Sequence, residues 1–104
     1  MSPETKKVIN LIGIAMKSHN VVSGEFSTEK AVKEKKAALV IVAEDASDNT
    51  KKKFTNSCAF YNVPIYIFGD KEMLGHGIGK EFRASLAIID KGLANAIEKQ
   101  LKMI

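Results

Sequence analysis

A chain of 104 residues with 45% apolar side chains has room for one domain, residues 1–104, with a single core that removes roughly 65% of the unfolded surface from water. Sixteen basic residues against twelve acidic ones leave a net charge of +4, a balance that suits an anionic partner such as nucleic acid without requiring one. Cys58 is the single cysteine, which excludes an intramolecular disulfide. No stretch approaches the ~20 apolar residues of a membrane span, and the start of the chain lacks a signal-peptide pattern, so the expectation is a soluble, cytoplasmic protein.

Ser2-Pro3-Glu4 reads as a helix start: a capping hydroxyl, proline at the first helical position, then an acid near the positive end of the dipole. Val8, Leu11, Ile12, Ala15 and Met16 continue it as an apolar stripe, His19-Asn20 ends it, and Val21-Val22 is a short strand closed by Ser23-Gly24. A second helix is predicted from Glu25 or Ser27 to Lys35, with Ala31 and Val32 on its inner side. The run Ala37 to Ala43 has no polar residue and reads as a strand covered on both faces. Glu44-Asp45-Ala46-Ser47 leads into a third helix starting at Ser47 or Asp48, with Lys51, Lys52 and Lys53 around its first turn and Phe54, Cys58 and Tyr61 facing the core. Asn62-Val63-Pro64 stops it. Ile65 to Phe68 is a strand, Asp70 caps a short helix carrying Met73 and Leu74, and the glycine cluster Gly75 to Gly79 follows as a turn. Ser85 to Ile89 is the last strand, and Asp90-Lys91-Gly92 opens a final helix along Leu93, Ala96, Ile97 and Leu101. Helices alternating with buried strands imply an α/β/α sandwich.

The glycine cluster fits neither nucleotide-binding pattern. A phosphate-binding loop needs four residues between its first glycine and Gly-Lys, but only His76, Gly77 and Ile78 stand between Gly75 and Gly79, and Glu81 replaces the required hydroxyl. In the dinucleotide fingerprint Lys80 occupies the place of the last glycine. The cluster is read instead as a tight turn, either merely ending the short helix or letting a ligand backbone approach closely. His19, His76 and Cys58 have no metal-ligand spacing. Glu44, Asp45 and Ser47 are more simply helix caps than acid, base or nucleophile. No catalytic set, cofactor or metal site is expected. Sixteen cations less the lone Arg83 leaves fifteen lysines, so any nucleic acid would be held as phosphate and shape rather than through an arginine code. Lys30, Lys51 and Lys80 are expected at one end of the sandwich, near helix starts or the glycine turn.

These pieces in this order resemble the ribosomal protein L7Ae family, and within it the bacterial YlxQ-like branch. The likeness rests on Ser23-Gly24-Glu25, Lys30-Ala31-Val32, Ala43-Glu44-Asp45-Ala46-Ser47, Asn49-Thr50-Lys51-Lys52, Cys58 to Pro64, and Leu74 to Glu81. The resemblance implies a three-layer α/β/α sandwich around a four-stranded mixed sheet. It also implies binding of structured RNA, typically kink-turns, near the ribosome, with a ribosomal protein as a second kind of partner. The site it implies is the start of the second helix and the glycine turn: Gly24, Glu25, Phe26, Lys30, Ser47, Lys51, Gly75, His76, Gly77 and Ile78. Two positions depart from the family pattern. Phe26 and Ser27 stand where kink-turn binders carry Asn-Glu, and His76 where arginine is frequent. Phe26 is therefore expected either in the core, as phenylalanine usually is, or exposed for stacking on an unpaired base. The alternative function is a protein-interaction module that keeps the fold and has lost the RNA site. A monomer is expected.

Overall fold

A computed structural model describes all of residues 1–104. Five helices, α1 (Pro3–Lys17), α2 (Glu25–Lys33), α3 (Asp48–Tyr61), α4 (Lys71–Gly77) and α5 (Lys91–Leu101), alternate with four strands, β1 (Val21–Ser23), β2 (Leu39–Val42), β3 (Ile65–Ile67) and β4 (Ser85–Ile88). The starts follow from side chains that accept from the first free amides of each helix. Ser2 accepts from the Thr5 amide, Ser47 from Thr50, Asp70 from Met73 and Asp90 from Leu93. Asn62 ends α3 in the left-handed conformation (φ 58°, ψ 44°).

The sheet order is β1-β4-β2-β3. Both β1 and β2 are antiparallel to β4, and β3 is parallel to β2. Hence β1, β2 and β3 all run one way, and their carboxyl ends share one edge with the amino end of β4. Registers fix this edge: Ser23 lies opposite Leu86, Val42 opposite Ser85, and Val42 beside Ile67. On one face α2 packs against α3; on the other α1 packs against α4 and α5. The central β2 is consequently buried at all four positions, as is β4. Val8 and Ile12 of α1, Val32 of α2, Phe54 and Cys58 of α3, Leu74 of α4 and Ile97 of α5 are fully enclosed with them.

Several expectations shift. The run from Ala37 is strand only from Leu39, because the Lys36 and Ala37 amides bond back to the Ala31 carbonyl and close the end of α2. That helix stops at Lys33, with Lys35 left-handed at φ 60°. In α5 the inner side is Ala94, Ile97 and Leu101, not Ala96. The larger correction is the glycine cluster. Gly75, His76 and Gly77 form the last turn of α4 rather than a turn after it.

Candidate functional site

The edge where three strands end and β4 begins is stitched by backbone bonds. The Gly24 amide donates to the Ser85 carbonyl (3.0 Å), Ala43 to Ala84 (2.8 Å), Glu44 to Gly69 (2.7 Å) and Arg83 to Lys71 (2.9 Å). Side chains reinforce it. Arg83 Nε donates to Ser23 Oγ at 3.0 Å, and Asp45 Oδ1 accepts from the Lys71 amide at 2.9 Å. The starts of α2, α3 and α4 therefore open onto one surface, the place where an α/β sheet offers its binding edge.

Gly24 leads into α2 at φ 90°, and nothing lies within 4 Å of where its Cβ would stand. A backbone approaching from outside meets no side chain there. Glu25 and Phe26 follow in the first turn, and both are exposed. Phe26 is 79% exposed, which overturns the core placement. The buried side of this helix is taken by Thr28, Ala31 and Val32, and Thr28 sits within 3.4 Å of the Ser85 hydroxyl of β4. Lys30 lies in the last turn of α2, where a cation suits the dipole, so its position carries no electrostatic penalty as a helix-start lysine would. It lines a groove beside β1 with Phe26.

On α3, Ser47 is the cap and Lys51 is half-buried in the first turn. Lys53 is not part of a free cationic cluster. Its ammonium bonds Glu29 Oε2 at 2.9 Å and approaches Glu25 Oε1 at 3.8 Å, linking α3 to α2. That hydrogen bond holds the Glu29 carboxyl below its ordinary range against the opposing effect of burial, and Lys33 at 3.3 Å adds to it. Of the lysines expected to face a ligand, Lys30, Lys51 and Lys80 make no ion pair. Glu44, Asp45, Asp48 and Asp70 share the edge with them, so the surface is mixed in charge rather than uniformly positive.

The α4 end divides. Gly75 is buried, and a Cβ there would collide with the Glu81 carbonyl and come within 2.8 Å of the Phe82 nitrogen. This glycine serves a close approach within the protein, namely the return of the chain toward β4. Ile78 is also buried. Gly77 packs toward Ile9 and Ile12 of α1. His76 is exposed and lines a pocket with Met1, Ile9, Asp70 and Met73, on the face opposite α2. Of the expected residues, Gly75 and Ile78 are thus buried, while His76 lines a different pocket from Phe26 and Lys30. Gly24, Ser47 and the lead-in to β4 meet at the edge; Phe26 and Lys30 extend from it along one face, His76 along the other. Two residues escaped the sequence reading. Phe82, 59% exposed, and Arg83 occupy the segment between α4 and β4, bridging Gly75 to Ser23. The lone arginine directly before a strand was the available signal. Cys58 is confirmed as packing, its thiol pushed up to about 11 by burial.

Residues 6–98 match the family described as "Ribosomal protein L7Ae/L30e/S12e/Gadd45 family". Among curated relatives, the chain is 42% identical to "RNA-binding protein YlxQ" of Bacillus subtilis (strain 168), over 84% of this chain and 87% of the relative. It is 35% identical to "RNA-binding protein YlxQ" of Enterococcus faecium, over 93% of each. Among solved structures, a protein with unknown function from Bacillus halodurans C superposes with a TM-score of 0.90 at 32% identity, over 92% of this chain and 97% of that one. The Giardia lamblia 15.5kD RNA binding protein superposes with a TM-score of 0.82 over 100% of this chain and 89% of that one, at 22% identity, a likeness of fold.

Proposed function

Since the chain belongs to the ribosomal protein L7Ae/L30e/S12e/Gadd45 family, we propose that it is a non-enzymatic protein that binds structured RNA of the kink-turn kind, in a ribosomal setting, at the edge where β1, β2 and β3 end. The observation that carries this reading is the convergence at that edge of an unobstructed Gly24, the capped start of α3 and the Phe82-Arg83 segment. The names of the YlxQ relatives point to the same ligand class.

The chemistry is one of position and charge. Lys30, Lys51 and Lys80, free of carboxylate partners, neutralise phosphates as point charges. Gly24 and the α2 start let a bent backbone come close. Recognition of A-form and irregular RNA by shape and backbone needs little more, and base-edge reading is reduced because Phe26 has no hydrogen-bonding group.

A titration of a kink-turn RNA against a plain duplex of equal length tests the proposal. The kink-turn is expected to bind tighter, with log affinity falling against log salt at a slope near −3, about three or four phosphates. Lys30→Ala is expected to flatten that slope by about one unit and weaken both RNAs. Equal affinity for the two RNAs would remove the kink-turn; an affinity indifferent to salt, with no nucleic acid co-purifying, would favour the protein-interaction module.

A further inference from the structure

The groove beside α2 is not used by an edge-only mode of RNA binding. It measures about 320 Å³ and is lined by Val22, Ala31 and Ile89 together with Phe26, Lys30 and the Glu34–Lys36 pair. β1, which contributes Val22 to it, is an edge strand paired only with β4. Lys36 is engaged by Glu34 at 3.4 Å, which leaves Lys30 as the cation on this groove without a carboxylate partner.

Resting on the RNA reading above, we propose that this groove is a subsite for an unpaired nucleotide leaving the binding edge, its base stacked on the Phe26 ring and its phosphate held by Lys30. An aromatic face offered to solvent, an apolar floor and one free ammonium match the three parts of that ligand: a base has a π-face and an apolar body, and its backbone is anionic. Continuity with Gly24, two residues before Phe26, places the groove on the path of any strand gripped at the edge.

The test uses two RNA hairpins, one carrying a three-nucleotide bulge and one fully paired, titrated with the wild-type chain, Phe26→Ala and Phe26→Tyr. Because the ring is 79% exposed, the variants are expected to melt with the wild type, which thermal unfolding checks. Phe26→Ala should weaken the bulged hairpin about 5- to 150-fold and the paired one by less than about twofold, while Phe26→Tyr keeps the preference. If Phe26→Ala weakens both hairpins alike, or neither, the subsite is overturned while RNA binding stands. If the wild type binds neither hairpin, the RNA reading falls together with it. Sedimentation velocity supplies the last arm: self-association that is lost in Phe26→Ala, with RNA affinity unmoved, would assign the ring to a protein contact and overturn the proposal.

Discussion

Gly75 has the Glu81 backbone pressed against it inside α4, and neither partner is a flexible side-chain tip. Gly75→Ala must displace main chain, so it is expected to lower stability by about 1–3 kcal/mol, read as a fall in melting temperature. Gly77→Ala in the same turn meets only ordinary contacts, 3.7 Å to Ile12 and 3.8 Å to Ile9, and is expected to be neutral or to raise stability by up to ~1 kcal/mol. Equal losses in the two variants would refute this reading of the cluster. Cys58 carries a second expectation. Its folded pKa is raised to about 11 from 9.0 by burial, so the folded chain keeps a proton that the unfolded chain loses. The sign follows: the thiol contributes nothing pH-dependent below pH 9, and stability falls as pH rises from about 9 to about 11. Cys58→Ala should reduce that slope in denaturant titrations, most clearly between pH 9 and 10, below the range in which Tyr66 and Lys53, also raised, add to it. The thiol of the folded wild type should also stay unreactive to a thiol reagent at neutral pH.

The short helix α4 depends on a neighbour for its start. Asp70 accepts from the Met73 amide at 2.7 Å and Asp45, from the loop after β2, accepts from the Lys71 amide at 2.9 Å. With only seven residues, α4 is too short to hold itself helical in water. Asp45→Ala should therefore cost about 1 kcal/mol and speed hydrogen exchange in α4 before it does so in α1 or α5. Exchange unchanged in α4 would mean that Asp45 is merely a solvated acid. Between α2 and α3, the Glu29–Lys53 pair plays the analogous part at the surface, where salt weakens it.

For the whole molecule, one core joins both helical layers through β2 and β4. Ile41→Ala, at a fully buried position of β2, is expected to cost about 2–5 kcal/mol and to shift the unfolding of every helix together. If far-ultraviolet circular dichroism showed α2–α3 melting apart from α1–α5, the single core would be wrong. The same topology sets the course of the candidate interface along a seam. Three carboxyl ends and one amino end meet at an edge, but the helices that leave it go to opposite faces. Phe26 and Lys30 accordingly extend from the seam on one side and His76 on the other.

Local signals were sufficient for the existence and order of the elements, though not for every boundary. The apolar run around Leu39–Val42, the caps Ser2, Ser47 and Asp70, and the stop at Asn62 act on their own few residues, so hydrophobic period and capping chemistry locate them from the chain alone. The motif order was enough to identify the family and the α/β architecture. What tertiary structure alone decided involves partners distant in sequence, for which no period exists. The last turn of α4 took in Gly75, whose missing Cβ leaves room for the Glu81 backbone. Thr28, Ala31 and Val32 filled the inward side of α2 and turned Phe26 out to solvent. Glu29 bound Lys53, the last lysine of the run that opens α3. Each outcome is set by which surfaces the strand order brings into contact, and burial and ion pairing are properties of those contacts rather than of the residues that make them.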